Sequence, residues 1–163
     1  MVYVLGLDVS MNSTGWAVLS IDSEGVVHYV DSGIIKANTK LNHGRRLRKQ
    51  REAFQKIVKK YPISFVAREA GFSRHVKSTQ TLFKAYGVTE EFFAENDLVE
   101  YAASTIKKIV GGSGRASKEQ VEAGIRKKLK LPTAHVFASD DESDSIGVAL
   151  TLIQDKKLSK GES

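Results

Sequence analysis

Two stretches of the sequence run from apolar residues into a carboxylate. Residues 3–7 form a short apolar run that ends at Asp8, and residues 63–69 alternate so that Ile63, Phe65, Ala67 and Glu69 share one face. A charged group at the mouth of a buried strand is costly unless something pairs with it, and a metal ion or a phosphate-directed function would do so. The plainer reading is that Asp8 opens an Asx-turn or marks the exit of its strand. Further on, Asp141 and Asp144 stand three residues apart, a spacing that sets both on one face of a helix. Acidic residues are favoured in the first turn of any helix, because they face the macrodipole and its free N–H groups. The cluster does not make an EF-hand, which needs Gly where Ser145 stands and Glu where Thr151 stands. Taken together, two strand ends and one helix start supply four carboxylates, an oxygen-rich set suited to Mg²⁺, with Mn²⁺ as a substitute.

These groups need a scaffold that brings them to one place. The patterning predicts strands over residues 14–21 and 26–35, joined to the first by short turns as an antiparallel meander. A helix with Leu47, Phe54, Ile57, Val58 and Tyr61 on one face follows and stops at Pro62. After that crossover, the strand over residues 63–69 lies parallel to the first, which brings Glu69 to the same sheet edge as Asp8. Residues 70–75 read as a loop, and residues 77–96 as a long helix with Leu82, Phe83, Tyr86, Phe92 and Phe93 as its apolar members and a weak point at Gly87. A short last strand over residues 98–101 comes next, then a brief helix capped by Ser104 that carries Lys107 and Lys108 as far as Gly111. Ser117-Lys118-Glu119-Gln120 has the form of a capping box and opens a helix that buries Val121, Ile125 and Leu129 ahead of Pro132. The final helix starts around Asp140. The expected fold is therefore α/β, a five-stranded mixed sheet flanked by helices, in one domain over residues 1–155 with a frayed tail over 156–163.

At 163 residues the chain can bury a full core without staples, and it has no cysteine, so neither a disulfide framework nor a thiolate zinc site is available. No run has the length of a membrane span, and the first residues enter a strand directly, so the protein is expected to be soluble and cytoplasmic. Lys and Arg number 25 against 19 Asp and Glu, a net charge of +6. The excess concentrates from Lys36 to Arg51 and from Lys107 to Lys130, while acids crowd at Asp140, Asp141, Glu142 and Asp144. An acidic knot in a basic chain suits a metal-dependent enzyme that acts on nucleic acid. The glycine stretch 111–118 fails the Walker pattern, leaving a basic loop that touches a phosphate backbone or a mere connector. Phe72, in the loop after Glu69, either stacks on bases or folds back onto the core.

Assembled in order, these residues resemble the RuvC Holliday junction resolvases within the ribonuclease H-like nucleases. The resemblance runs through Leu5-Gly6-Leu7-Asp8 with Thr14-Gly15, Glu69-Ala70-Gly71-Phe72, Ala85-Tyr86-Gly87-Val88, Glu100-Tyr101-Ala102-Ala103, Val110-Gly111-Gly112-Ser113-Gly114, Lys118-Glu119-Gln120-Val121 and Asp141-Glu142-Ser143-Asp144. It implies a ribonuclease H-like fold and a homodimer, joined largely through the helix within residues 77–96. The implied activity is two-metal-ion hydrolysis of four-way and other branched DNA, leaving 5′-phosphate and 3′-hydroxyl ends. Asp8, Glu69, Asp141 and Asp144 would then hold the metal ions, Lys107 and Lys118 would lie near the cut with Lys118 serving catalysis, and Phe72 would insert at the junction. Arg74, Lys77, Lys108 and Arg115 complete the expected DNA-contacting set. Where the family usually has Pro-Gly-Ser after the first Asp, this chain has Val9-Ser10-Met11, and Asp140 beside Asp141 leaves two candidates for the third ligand, of which the spacing favours Asp141. Such departures suit a divergent, even phage-borne, member. The rival reading is a branched-DNA binder of the same fold that does not cut.

Overall fold

The computed structural model describes residues 1–71 and 74–160. The elements follow as β1 (Val2–Asp8), β2 (Ser13–Ile21), β3 (Val27–Lys36), α1 (His43–Lys60), β4 (Ile63–Ala70), α2 (Val76–Phe92), a 3-10 turn (Ala94–Asn96), β5 (Val99–Ala102), α3 (Ala103–Gly111), α4 (Lys118–Lys128) and α5 (Asp140–Asp155). The five strands lie in the order β3-β2-β1-β4-β5. β1, β2 and β3 form the expected antiparallel meander, and β1–β4 and β4–β5 pair in parallel.

Alternation along the strands sends side chains into two cores. Leu5, Leu7, Val18 and Val66 meet α1 and α2 through Phe54, Ile57, Ala85, Tyr86 and Phe93. Val4, Ala17, Leu19 and Ala67 meet α3, α4 and α5 on the other face. Most of α5 is buried, from Ser145 to Ile153. Its approach depends on two glycines: a Cβ on Gly6 would strike the backbone of Ser145 and Ala149, and one on Gly15 the carbonyl of Asp141. With no side chain at either place, the first turns of α5 settle directly over the end of β1.

Several local expectations are corrected by tertiary context. Ile63 does not share the face of Phe65, because a register shift opposes Tyr3 to Ile63 and Val4 to Phe65 and so turns Ile63 toward the α1 side. The helix over Gly87 is unbroken, since Gly87 looks into open space while Ala85, Tyr86 and Thr89 anchor the same turn in the core, and that packing outweighs a glycine penalty of about 1 kcal/mol. It ends at Phe92, not near Asn96, and Phe83 is exposed. Ser104 lies inside α3, whose N-terminal flank is Ala102 with no side-chain cap. Ser117 does form the capping box with Gln120. In the stretch expected to fray, residues 156–160 are held: Leu158 packs on the core and the Lys160 amide donates to the Gly25 carbonyl at 3.2 Å. Residues 161–163 lie outside the described residues. Among the described residues, no helix is long and apolar enough to cross a membrane.

Candidate active site

The site forms where β1, β4 and α5 meet. Asp8 is the last residue of β1 and sits opposite Gly15 of β2. On the other side Leu7 is opposite Arg68 of β4, so Asp8 and Glu69 leave neighbouring parallel strands at one edge. α5 begins over that edge, its N-terminus capped by Ser139, whose hydroxyl accepts the Glu142 N–H at 3.3 Å. Asp141 turns toward the sheet, accepting a hydrogen bond from Ser13 Oγ at 2.5 Å and sharing another with the Asp8 carboxyl. Asp144 follows one turn later and is half-buried.

Burial is the largest influence on Asp8 and pushes its pKa up; the charges of Glu69, Asp144 and Asp141 and the hydrogen bond with Asp141 add to it, reaching about 8. Asp8 therefore holds a proton at neutral pH in the metal-free protein. Burial also raises Glu69, with Asp144 adding to the effect and Lys107 opposing it. Asp144 is raised by burial against the pull of Lys118, with Asp140, Asp141 and Glu122 reinforcing the rise. The carboxylates thus share one repulsive field edged by two lysines. All the donors are oxygens, which fits a hard divalent cation in ligand type and charge. The arrangement is open: among the described residues, no three acidic or histidine groups stand close enough to enclose a metal ion.

The other predicted residues divide. Lys107 lies within the field of Glu69, and Lys118 reaches the acids from the first position of α4. Burial works against the Lys118 ammonium, but its hydrogen bond to Asp140 and the charges of Asp144, Asp140 and Glu122 outweigh it and hold its pKa above the usual lysine range. The Asp140 side chain is 77% exposed and takes Lys118 as its ion-pair partner, whereas Asp141 faces Asp8. Lys108 lies apart, in a shallow groove with Ser104, Thr105, Ile109, Gly114 and Gln154. Arg115 is exposed in the α3–α4 loop, and Arg74 and Lys77 are exposed at the start of α2. Phe72 lies outside the described residues.

Sequence reasoning missed the groups that support this edge. Ser10 and Thr14 tie the turn after Asp8 through Thr14 Oγ1 to the Ser10 carbonyl at 2.9 Å and Ser10 Oγ to the Ser13 carbonyl at 2.7 Å. Buried Gln50 of α1 donates into the same turn at the Ser10 carbonyl, and Arg46 Nη1 reaches Asn12 Oδ1 at 2.9 Å. Glu142, between the two site aspartates, turns away and accepts from Ser32 of β3 and the Ala138 amide. The run of Ser and Thr just after Asp8 was the available signal for the turn; nothing local marks Gln50 as buried.

Residues 4–152 match the family described as "Crossover junction endodeoxyribonuclease RuvC". The chain belongs to the RuvC family. It is 33% identical over 157 residues to the RuvC crossover junction endodeoxyribonuclease of Ehrlichia chaffeensis, covering 94% of this chain and 97% of that one. The Ehrlichia canis protein of the same name is 35% identical over 150 residues, with 90% and 93% covered. Among solved structures, Thermus thermophilus RuvC in complex with Holliday junction substrate has the same fold, with a TM-score of 0.85 at 19% identity over 98% of this chain and 99% of that one. The fowlpox virus resolvase in complex with Holliday junction DNA aligns with a TM-score of 0.59 at 12% identity over 93% and 99%. The RuvC fold thus accounts for the sheet order and for the sheet edge at which Asp8 and Glu69 meet α5.

Proposed function

We propose that this RuvC-family chain is a crossover junction endonuclease whose Asp8, Glu69, Asp141 and Asp144 hold divalent cations, Mg²⁺ with Mn²⁺ as a substitute. The observation that carries the reading is the shared repulsive field of those carboxylates, offset only in part by Lys107 and Lys118, at the edge where β1, β4 and α5 meet. A cation bound there supplies positive charge to the scissile phosphate and lowers the pKa of water. The chain supplies the rest: Ser13 orients Asp141, and Lys107 and Lys118 flank the acids where a phosphate backbone would pass. Lys118 in addition would offset charge that builds on the phosphate during the reaction.

The basic residues at Arg74, Lys77, Lys108 and Arg115 extend the same reading along the branches of a junction, with Phe72 as the aromatic that enters it. A homodimer is supported by α2, which leaves Val76 72% and Phe83 59% exposed on one stripe with Gly87 open beside them. Covering that stripe with a second copy gives a two-fold assembly matched to a near two-fold substrate. Residues 1–155 would act as a single nuclease unit on cytoplasmic DNA.

The test is cleavage of an end-labelled synthetic four-way junction in Mg²⁺ by the native protein and by Asp8→Asn at equal occupancy. Paired nicks from the native chain and a loss of more than about 10²-fold in the variant, beyond the usual effect of an outer-shell group, are expected. Binding without nicks by either protein would replace this reading with that of a junction binder.

A further inference from the structure

Glu69 has a neighbour in sequence, Arg68, that is 1% exposed and points to the opposite face of β4. Its guanidinium donates from Nη1 to the Tyr86 carbonyl at 3.0 Å and from Nη2 to Glu90 Oε1 at 2.5 Å and Glu100 Oε1 at 2.7 Å. The same guanidinium lies over the Tyr86 ring, 3.9 Å from its centroid. Arg68 thus fixes both the backbone and the ring plane of Tyr86. The Tyr86 hydroxyl, at the far end of that ring, donates to the Glu69 carbonyl at 2.9 Å and accepts the Gly71 N–H. One hydroxyl therefore grips the peptide groups on both sides of Ala70, just where β4 ends and Glu69 projects into the acidic edge.

We propose that Tyr86, braced by Arg68, is a positioning residue that holds the backbone of Glu69 where its carboxylate can share a cation with Asp8 and Asp144. The proposal rests on the reading of Glu69 as a metal ligand. Physical need for such a brace is plain: Glu69 is repelled by Asp144, it lies one residue from the end of its strand, and β5 pairs with β4 only over a short span from Ala67 to Ala70. A ligand on a strand end that must resist repulsion keeps its place only if the backbone under it is tied.

Tyr86→Phe keeps the ring and its contact with Arg68 and deletes only the hydroxyl. Gly71→Ala attacks the same clamp from the other side, since a Cβ there would stand 2.5 Å from the Tyr86 hydroxyl and 2.8 Å from Leu82 Cδ2. Both variants, with Glu69→Gln as reference, are to be followed by the rise of Tm on titration with Mg²⁺ and by junction cleavage across the same titration. The expected result is a shift of about tenfold in the Mg²⁺ concentration at half-effect in both readouts for Tyr86→Phe and Gly71→Ala, with junction binding in Ca²⁺-free EDTA buffer unchanged. A native Mg²⁺ midpoint in either variant, beside an inactive Glu69→Gln, overturns the clamp and leaves the site standing. Full activity of Glu69→Gln overturns the site and the clamp with it.

Discussion

Arg68 and Asp8 are both ionisable groups withdrawn from water on neighbouring strands, and the chain treats them in opposite ways. Arg68 is answered from within: two carboxylates, a carbonyl and an aromatic face converge on it from α2 and β5. Asp8 is surrounded by its own kind, and burial together with Glu69, Asp144 and Asp141 forces it to keep a proton. Placing a charge in a medium of low dielectric is unfavourable unless a partner offsets it. Where the fold provides the partner, the charge is part of the framework; where it provides more of the same sign, the partner has to come from solution. That contrast separates the two ends of one dipeptide, Arg68-Glu69, into a structural member and a candidate ligand.

The contrast predicts opposite signs in metal-free stability. Arg68→Ala removes the centre of a network of two ion pairs and a carbonyl contact and opens a cavity under α2, so a loss of about 3 kcal/mol is expected by urea unfolding in EDTA. Asp8→Asn removes a group that the fold holds unfavourably, so its unfolding midpoint should move up in the same buffer. Destabilisation by both would erase the distinction between the two clusters.

Much of the acidic edge could be read from the sequence, and little of the Arg68 cluster. Asp8 and Glu69 were visible because each ends an apolar run, and the parallel pairing that joins them follows from one helical crossover. The Ser117 capping box was visible because all its members lie within four residues. Arg68 reads locally as a solvent-facing residue of an alternating strand. Its burial depends on Tyr86, Glu90 and Glu100, contributed by α2 and β5, which no local period reports. Ile63 failed for a related reason: alternation assumes a regular ladder, and a one-residue slip inverts the face of everything before it. Asp140 and Asp141 are neighbours in a helix start, and only the three-residue spacing to Asp144 favours Asp141 in the sequence. What sets their roles apart in the fold is Lys118 on one side and Ser13 on the other.

A second prediction concerns pH. The Asp8 pKa is about 8 in the folded chain against 3.8 for the free group, so between these values the native state binds more protons than the unfolded one. Stability of the metal-free protein therefore falls as pH rises from about 4 toward 8, the opposite of what a salt-bridged carboxylate produces. A divalent cation competes with that proton, so the rise in Tm on adding Mg²⁺ should grow with pH across the same window. Asp8→Asn should flatten both trends. A metal-free Tm that climbs through this range would place Asp8 among compensated groups, alongside Arg68.

The smallest effect asks to which side the flanking lysines belong. Lys107 lies in the field of Glu69 and is exposed, so it can serve as an internal counter-charge or as a contact for a DNA phosphate. Each phosphate neutralised by the protein contributes about 0.9 to the slope of log affinity against log salt on duplex DNA. In EDTA, Lys107→Ala should therefore lower the slope for junction binding by about one. Lys160→Ala, which removes the same charge beside the β2–β3 turn at the end of β1 opposite Asp8, distinguishes loss of a phosphate contact from loss of net charge alone. An unchanged slope for Lys107→Ala, coupled with a lower Mg²⁺ requirement for the Tm rise, would make Lys107 the partner that Glu69 otherwise lacks and would shrink the difference between the two clusters. A reduced slope assigns the lysine to the substrate and leaves the acidic edge dependent on its cation.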